Sequence, residues 1–165
     1  MKLLVLSDSH GRSGQVRAAM ALHPDAGAVL FLGDGLRDLP DASPCPIYAV
    51  RGNCDAFTMF DLMPAPDERV EVFGGYRVLA LHGHTRGAKA GTVRLIGAAL
   101  EQGAALVCFG PTHEPFEQYI PAGETRFGAP LEKPLWLFNP GSINAGSFGL
   151  IELRPGGVLL SHGQL

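Results

Sequence analysis

No run of apolar residues in this chain approaches the roughly 18 that a membrane-crossing helix needs, and neither sign of charge dominates. Against 16 acidic side chains there are 13 basic ones, a formal charge of −3 over 165 residues. The first lack excludes a helical membrane span. The second excludes an overall field that would gather nucleic acid phosphates, and no basic groove interleaved with aromatics makes up for it. Extended nucleic acid is therefore not an expected substrate. Cysteine is scarce as well: Cys45, Cys54 and Cys108 are odd in number and have no CxxC spacing, which speaks against a disulfide framework or a thiolate zinc cluster and for a reducing compartment. The opening residues, 1–8, carry too short an apolar stretch for a signal-peptide core, with no small-residue cleavage site after it. Cytoplasm is the expected location. Internal repeats and low-complexity blocks are missing too.

What is present suits one domain over residues 1–165, long enough to bury a real core. Apolar residues make up 46% and charged residues 18%, far from the composition of a disordered chain. Apolar runs of strand length alternate with two segments of helical period, an α/β pattern. Residues 2–7 and 28–32 are Leu/Val-rich and end in polar residues, as strands covered on both faces do. Between them Val16, Ala19, Met20 and His23 keep the spacing of a helix on a sheet, which Pro24 stops. Residues 47–50 form a third strand, 68–73 and 76–81 a hairpin turned at Gly74-Gly75, and Val93, Ile96, Gly97 and Leu100 mark a second helix. Strands are expected at 105–109, 135–138, 148–153 and 157–161. Residues 121–134, rich in proline and glycine, read as a surface loop.

The polar residues gather at strand ends. Asp8 and His10, two apart, leave the first strand before Gly11; Asp34 follows Gly33, Asn53 follows Gly52, and His82-Gly83-His84 ends the hairpin, with His113 further on. Each of these could also cap a turn. Together they form a mixed oxygen and nitrogen set suited to Mn²⁺, Fe²⁺ or Zn²⁺ more than Ca²⁺. His84 has two readings, a phosphate contact beside the ions or a solvent-facing turn residue. Arg12, Arg37, Arg51 and Arg86 closely follow motif residues, where an arginine either pairs with a substrate phosphate or carries solvated charge. His23 and His162 read as surface or helix-end histidines, and Cys45 and Cys108 as core or loop thiols. Residues 85–91, with Gly87 and Gly91 around Lys89, read as a hinged loop beside the site or an ordinary connection.

The order Asp-x-His, Gly-Asp, Gly-Asn-x-Asp, His-Gly-His, Gly-x-x-His, spread over residues 8 to 113, resembles the calcineurin-like metallophosphoesterases. Gly52-Asn53-Cys54-Asp55 and Asn139-Pro140-Gly141-Ser142 bring it nearest the small YfcE-type phosphodiesterases of that superfamily. The resemblance implies an α/β fold, a β-sandwich of two mixed sheets flanked by helices in four αββα layers. It implies two divalent ions, Mn²⁺ foremost and Zn²⁺, Fe²⁺ or Ni²⁺ as alternatives, and a small phosphoester substrate. One ion would take Asp8, His10, Asp34 and His113. The other would take Asp34, Asn53 and His82, plus a histidine whose position here is Pro111. Proline has no donor atom to offer a metal, so the second ion is expected at low occupancy, with Glu114 or His84 as substitutes. Catalytic work falls to Asp34, Asn53, Asp55 and His84, with Asp55 orienting Asn53 or His10 from behind and Cys54 only lining the site. The alternative is a noncatalytic metal-binding interaction module that keeps the fold. A homodimer is expected on the resemblance alone, and no membrane partner.

Overall fold

The computed structural model describes residues 1–55 and 65–165. Strand β1 (Lys2–Leu6) is followed by helix α1 (Ser13–Leu22), β2 (Ala28–Phe31), β3 (Ile47–Ala49), the hairpin β4 (Glu68–Phe73) and β5 (Tyr76–Leu81), and helix α2 (Val93–Gln102). Then come β6 (Leu106–Cys108), β7 (Pro115–Ile120), the two-residue strands β8 (Thr125–Arg126) and β9 (Ala129–Pro130), and β10 (Leu135–Pro140), β11 (Ser147–Arg154) and β12 (Gly157–Gln164). Two five-stranded sheets result, in the orders β12-β11-β1-β2-β3 and β4-β5-β6-β10-β7. Both are mixed. In the first, β1, β2 and β3 run parallel and β11 pairs antiparallel to β1; in the second, β5, β6 and β10 run parallel, flanked by antiparallel β4 and β7.

Period-two alternation within the apolar runs builds the layers. Leu3, Val5, Leu30 and Leu32 face Val78, Ala80, Leu106 and Phe138 across the gap between the sheets. Their neighbours Leu4, Leu6, Val29 and Phe31 turn outward onto Val16, Ala19 and Met20 of α1. Leu79, Leu81, Val107 and Leu137 turn onto Leu95, Ile96 and Ala99 of α2. Both faces of each central strand are thus dry, which is why the runs are continuous rather than alternating with polar residues. Four layers, helix, sheet, sheet, helix, match the expected architecture. Gly103 in a left-handed conformation ends α2 with its N–H on the Ala99 and Leu100 carbonyls.

The stretch expected as a loop over 121–134 contains the β8–β9 ribbon, and β7 is an additional edge strand. β7 opens on a proline and exposes most of its side chains, as edge strands do. His162 is exposed, as expected, but it is engaged. Its ring stacks on Phe138 at 4.7 Å and its Nε2 lies 2.8 Å from the Asn139 carbonyl, tying the edge of one sheet to the other. Gly149 of β11 allows this close approach: a Cβ there would lie 2.3 Å from Cε1 of Phe138. Gly149→Ala is therefore expected to lower stability by about 1–3 kcal/mol through overpacking, read as a lower urea midpoint with an unchanged m-value.

Candidate metal centre

Five of the six parallel strands deliver a candidate ligand to the same edge, beyond their carboxyl ends, where ligands of open α/β sheets gather. Asp8 follows β1, Asp34 follows β2, Asn53 follows β3, His82 follows β5 and His113 follows β6. Five described non-glycine residues have positive φ, and four of them are candidate ligands: Asp8 (56°), His10 (42°), Asp34 (58°) and His113 (61°). Left-handed backbone at such residues costs of the order of 1–3 kcal/mol apiece and persists only where surroundings enforce it. Here neighbouring loops do so. Asp8 N–H donates to the Gly33 carbonyl (2.9 Å) and His10 N–H to that of Asp34 (3.1 Å). The Asp8 carbonyl accepts from Ser142 Oγ (2.9 Å) and Asn144 N–H (3.2 Å).

Asp8 is fully buried, and its two oxygens differ. Oδ2 accepts from Ser7 Oγ at 2.5 Å, whereas Oδ1 accepts no hydrogen bond. His113 Nε2 lies 3.0 Å from Oδ1 and His10 Nε2 3.7 Å, at angles unsuited to hydrogen bonding for the nearer one. Burial pushes the Asp8 carboxyl up to about 7, opposed by the Ser7 hydroxyl and reinforced by Asp34. His82 presents the same situation in nitrogen. Its Nδ1 is 2.7 Å from the Leu32 carbonyl, which can only accept, so a neutral ring carries its proton there. Burial lowers the His82 pKa and keeps the ring neutral. Its Nε2 lone pair then faces Asn53 Oδ1 at 3.2 Å and Asp34 Oδ2 at 3.5 Å. Buried lone pairs aimed at one another without a proton between them fit a cation.

Ligand atoms of Asp8, His10 and His113 lie within 4.8 Å of one another, as do those of Asp8, Asp34 and His82, and of His10, Asp34 and Cys54. The structure thus brings together all six expected ligands, Asp8, His10, Asp34, His82 and His113 in three overlapping groups and Asn53 beside His82. Asp34 stands between them. Neither His84 nor Glu114 belongs to any of these groupings. His84 is exposed at the rim, its ring 5.4 Å from that of His82. Pro111 is buried against Gly83, where an added Cβ would meet its Cδ at 3.3 Å.

Among the described residues Asp55 bonds neither the Asn53 nor the His10 side chain, and acts on the backbone instead. Its carboxylate accepts backbone N–H groups of Asp34 (2.7 Å), Gly35 (2.8 Å), Leu36 (3.0 Å) and Gly52 (2.9 Å), clamping the Asp34 turn to the Asn53 turn. Asp34 completes the clamp by accepting Cys54 N–H at 2.7 Å. The approach is so close that a Cβ on Gly52 would fall 2.0 Å from Asp34 Oδ1. The Cys54 thiol is exposed, and its hydrogen bond to Asp34 raises its pKa. Asp38, which the sequence reading passed over, and Asn139, read only within its turn, play similar parts. Buried Asp38 accepts from Ser9 Oγ (2.5 Å) and Gly11 N–H (2.7 Å), bracing the turn that carries His10. Asn139 donates to Thr112 Oγ1 (3.0 Å), bracing the loop that carries His113. Their signal was slight: an aspartate four residues after Asp34, and the Asn-Pro-Gly-Ser turn.

The arginines are mostly engaged away from the ligands. Arg51 pairs with Asp67, Arg86 with Glu68 and Glu101, and Arg12 with Asn144. A separate cavity of about 440 Å³, between the end of α2 and residues 129–135, contains none of the candidate ligands.

Residues 1–154 match the calcineurin-like phosphoesterase superfamily domain, and the chain belongs to that superfamily. It is 31% identical over 145 residues to a probable metallophosphoesterase, YsnB, of Bacillus subtilis, covering 87% of this chain and 75% of that protein. Its fold is similar to that of Vps29 from Chaetomium thermophilum (TM-score 0.74, 19% identity, 100% of this chain and 87% of that one). It is also similar to that of an archaeal phosphodiesterase (TM-score 0.65, 18% identity, 98% and 99%).

Two outcomes follow from this geometry. The native Asp8 carboxyl, at about 7 against an ordinary 3.8, holds a proton that the unfolded chain has already released between those values. Metal-free protein therefore loses stability as pH rises from about 4 to 7, by as much as about 4 kcal/mol. Relative to metal-free Asp8→Asn, the wild-type melting temperature is expected to fall across that window, and saturating Mn²⁺ or Zn²⁺ to remove the fall. Asp55→Ala, which strips four backbone N–H groups of their acceptor, is expected to destabilise by about 2–4 kcal/mol and to weaken metal binding about 10–100-fold, measured by denaturation and calorimetric titration.

Proposed function

We propose that this chain is a metal-dependent phosphoesterase that hydrolyses small phosphodiesters, with phosphomonoesters as a second substrate class, in one domain working in the cytoplasm. The observation that carries the reading is the convergence of strained ligand residues on a buried Asp8 oxygen that accepts no hydrogen bond. Strain, burial and unspent lone pairs at one spot answer no structural need and suit divalent ions. Asp8, His10, Asp34 and His113 would hold one ion; Asp34, Asn53 and His82 would hold the other. When bound, such ions neutralise phosphoryl oxygens and make a water acidic enough to attack near neutral pH.

The chain's own residues set the conditions for that chemistry. Asn53 contributes a neutral oxygen beside two carboxylates, so the loaded centre keeps net positive charge for an anionic substrate. Asp55, through its backbone clamp, holds Asp34 and Asn53 in register. His84 at the exposed rim meets a phosphoryl oxygen, and Cys54, its thiol held protonated beside Asp34, lines the site. Mn²⁺ is the metal foremost in this reading, with Zn²⁺, Fe²⁺ or Ni²⁺ as alternatives, and the second site has the lower affinity because Pro111 supplies no ligand. A homodimer completes the proposal.

Pro111 and the likeness to Vps29 support a second reading, a noncatalytic metal-binding interaction module. The two part on turnover. Metal-stripped protein given Mn²⁺, Zn²⁺ or Mg²⁺ is expected to hydrolyse bis(p-nitrophenyl) phosphate and p-nitrophenyl phosphate, and Asp34→Asn to lose about 100-fold or more in kcat/KM. Pro111→His is expected to raise activity at low metal. Silence of folded wild type at millimolar metal would establish the module instead.

A further inference from the structure

We infer that Cys54 sets which divalent ion this centre keeps: its sulfur becomes a ligand when the ion is thiophilic, as Zn²⁺ and Co²⁺ are, and stays a bystander when the ion is Mn²⁺ or Mg²⁺. The inference rests on the metal-binding part of the reading above, which the enzyme and the module share. The six candidate ligands offer only oxygen and imidazole nitrogen, and Cys54 supplies the one soft donor grouped with any of them among the described residues. The backbone brings it there. Cys54 N–H donates to Asp34 Oδ1 (2.7 Å), and the Asp55 carboxylate ties the two turns together from behind. On the side-chain side, Asn53 Nδ2 donates to Cys54 Sγ (3.2 Å), while the oxygen of the same amide lies 3.2 Å from His82 Nε2. Ligand atoms of Cys54, His10 and Asp34 lie within 4.8 Å of one another. The sulfur thus stands beside members of both ligand sets.

The demand for a cation at this place is independent of the thiol. Asp8 is fully buried with Oδ1 accepting no hydrogen bond, and its carboxylate groups with His10 on one side and with Asp34 on the other. Bonds of about 2.3 Å to sulfur and about 2.0 Å to nitrogen or oxygen let ligand atoms around one zinc lie up to roughly 4.3 Å apart, so a shift of about half an ångström at most closes the set. Cys54 is exposed whereas Asp8, Asp34 and His82 are buried, so the sulfur approaches from the solvent side. Ligation breaks the S–H bond, forms the sulfur–metal bond and sends the proton to solvent. With Mn²⁺ or Mg²⁺, which favour oxygen, the thiol keeps its proton and only lines the site. The zinc form therefore has one more negative ligand than the manganese form, and less positive charge for an anionic substrate.

The test titrates Zn²⁺ and Mn²⁺ calorimetrically into metal-stripped wild type, Cys54→Ser and Cys54→Ala, and records the absorption of each protein loaded with Co²⁺. Co²⁺-loaded wild type is expected to show an intense sulfur-to-cobalt charge-transfer band in the near ultraviolet, absent from both variants. Zn²⁺ affinity should fall about tenfold or more in each variant, and Mn²⁺ affinity should change by less than about threefold, so the preference for zinc narrows. A Co²⁺ form of folded wild type without the band, a band that survives in Cys54→Ser, or Zn²⁺ affinity within about twofold of wild type in both variants would each overturn the assignment. The wild-type spectrum decides the matter even if neither variant folds. Cys54-dependent zinc binding without turnover of any ester would leave Cys54 in place and remove the hydrolytic reading. Turnover by a protein whose Co²⁺ form lacks the band would do the reverse, and folded wild type that binds none of the three ions would overturn both.

Discussion

The hydrogen bond from His82 Nδ1 to the Leu32 carbonyl spends the only proton a neutral imidazole has to give. It leaves Nε2 as a bare lone pair pointed at Asn53 and Asp34, a few ångströms from a second unsatisfied pair on Asp8. Electron density packed this way repels itself, so the surrounding chain must hold it in place. The left-handed backbone at Asp8, His10, Asp34 and His113, the Asp55 clamp, and the Asp38 and Asn139 braces are that restraint. None of them touches the point where the ligand atoms converge. All of them fix the loops from behind, and those loops spring from strands dry on both faces, which do not give way.

Much of this was legible in the sequence because the two codes involved are local. A continuous apolar run names a strand covered on both faces, and the first polar residue after it names what that strand delivers to the sheet edge. Asp8, Asp34 and His82 could be read so. The parts that escaped depend on distant partners. β7 is absent from the expected strands because an edge strand that opens on proline and exposes Phe116 and Tyr119 lacks a strand's apolar signature. His162 is the surface histidine it reads as, but its stacking on Phe138 shows only once β12 is in place. Asp55 was placed near the chemistry, yet its work is in backbone amides 19 to 21 positions away and nearby at Gly52. No pattern within a single segment could show which amides those are.

Pro111 illustrates how separable scaffold and site are. Its ring is buried beside Gly83 and close to Ala88, so the position is well packed without a ligand. The sheets need no ligand atom there. The same scaffold therefore accommodates a full pair of sites, an unequal pair, or a surface that only binds, and family membership alone leaves the choice open.

The pairing of β1 with β11 joins residues 2–5 to residues 149–152, and Asp8 is held by Ser142 and Asn144. The first ligand to leave a ribosome is thus among the last to be fixed. Its strand lies in the middle of its sheet and stays open on one side until residues 149–152 have been made, a long-range pairing that places this topology among the slower folders. The candidate metal centre is therefore complete only once that sheet has closed.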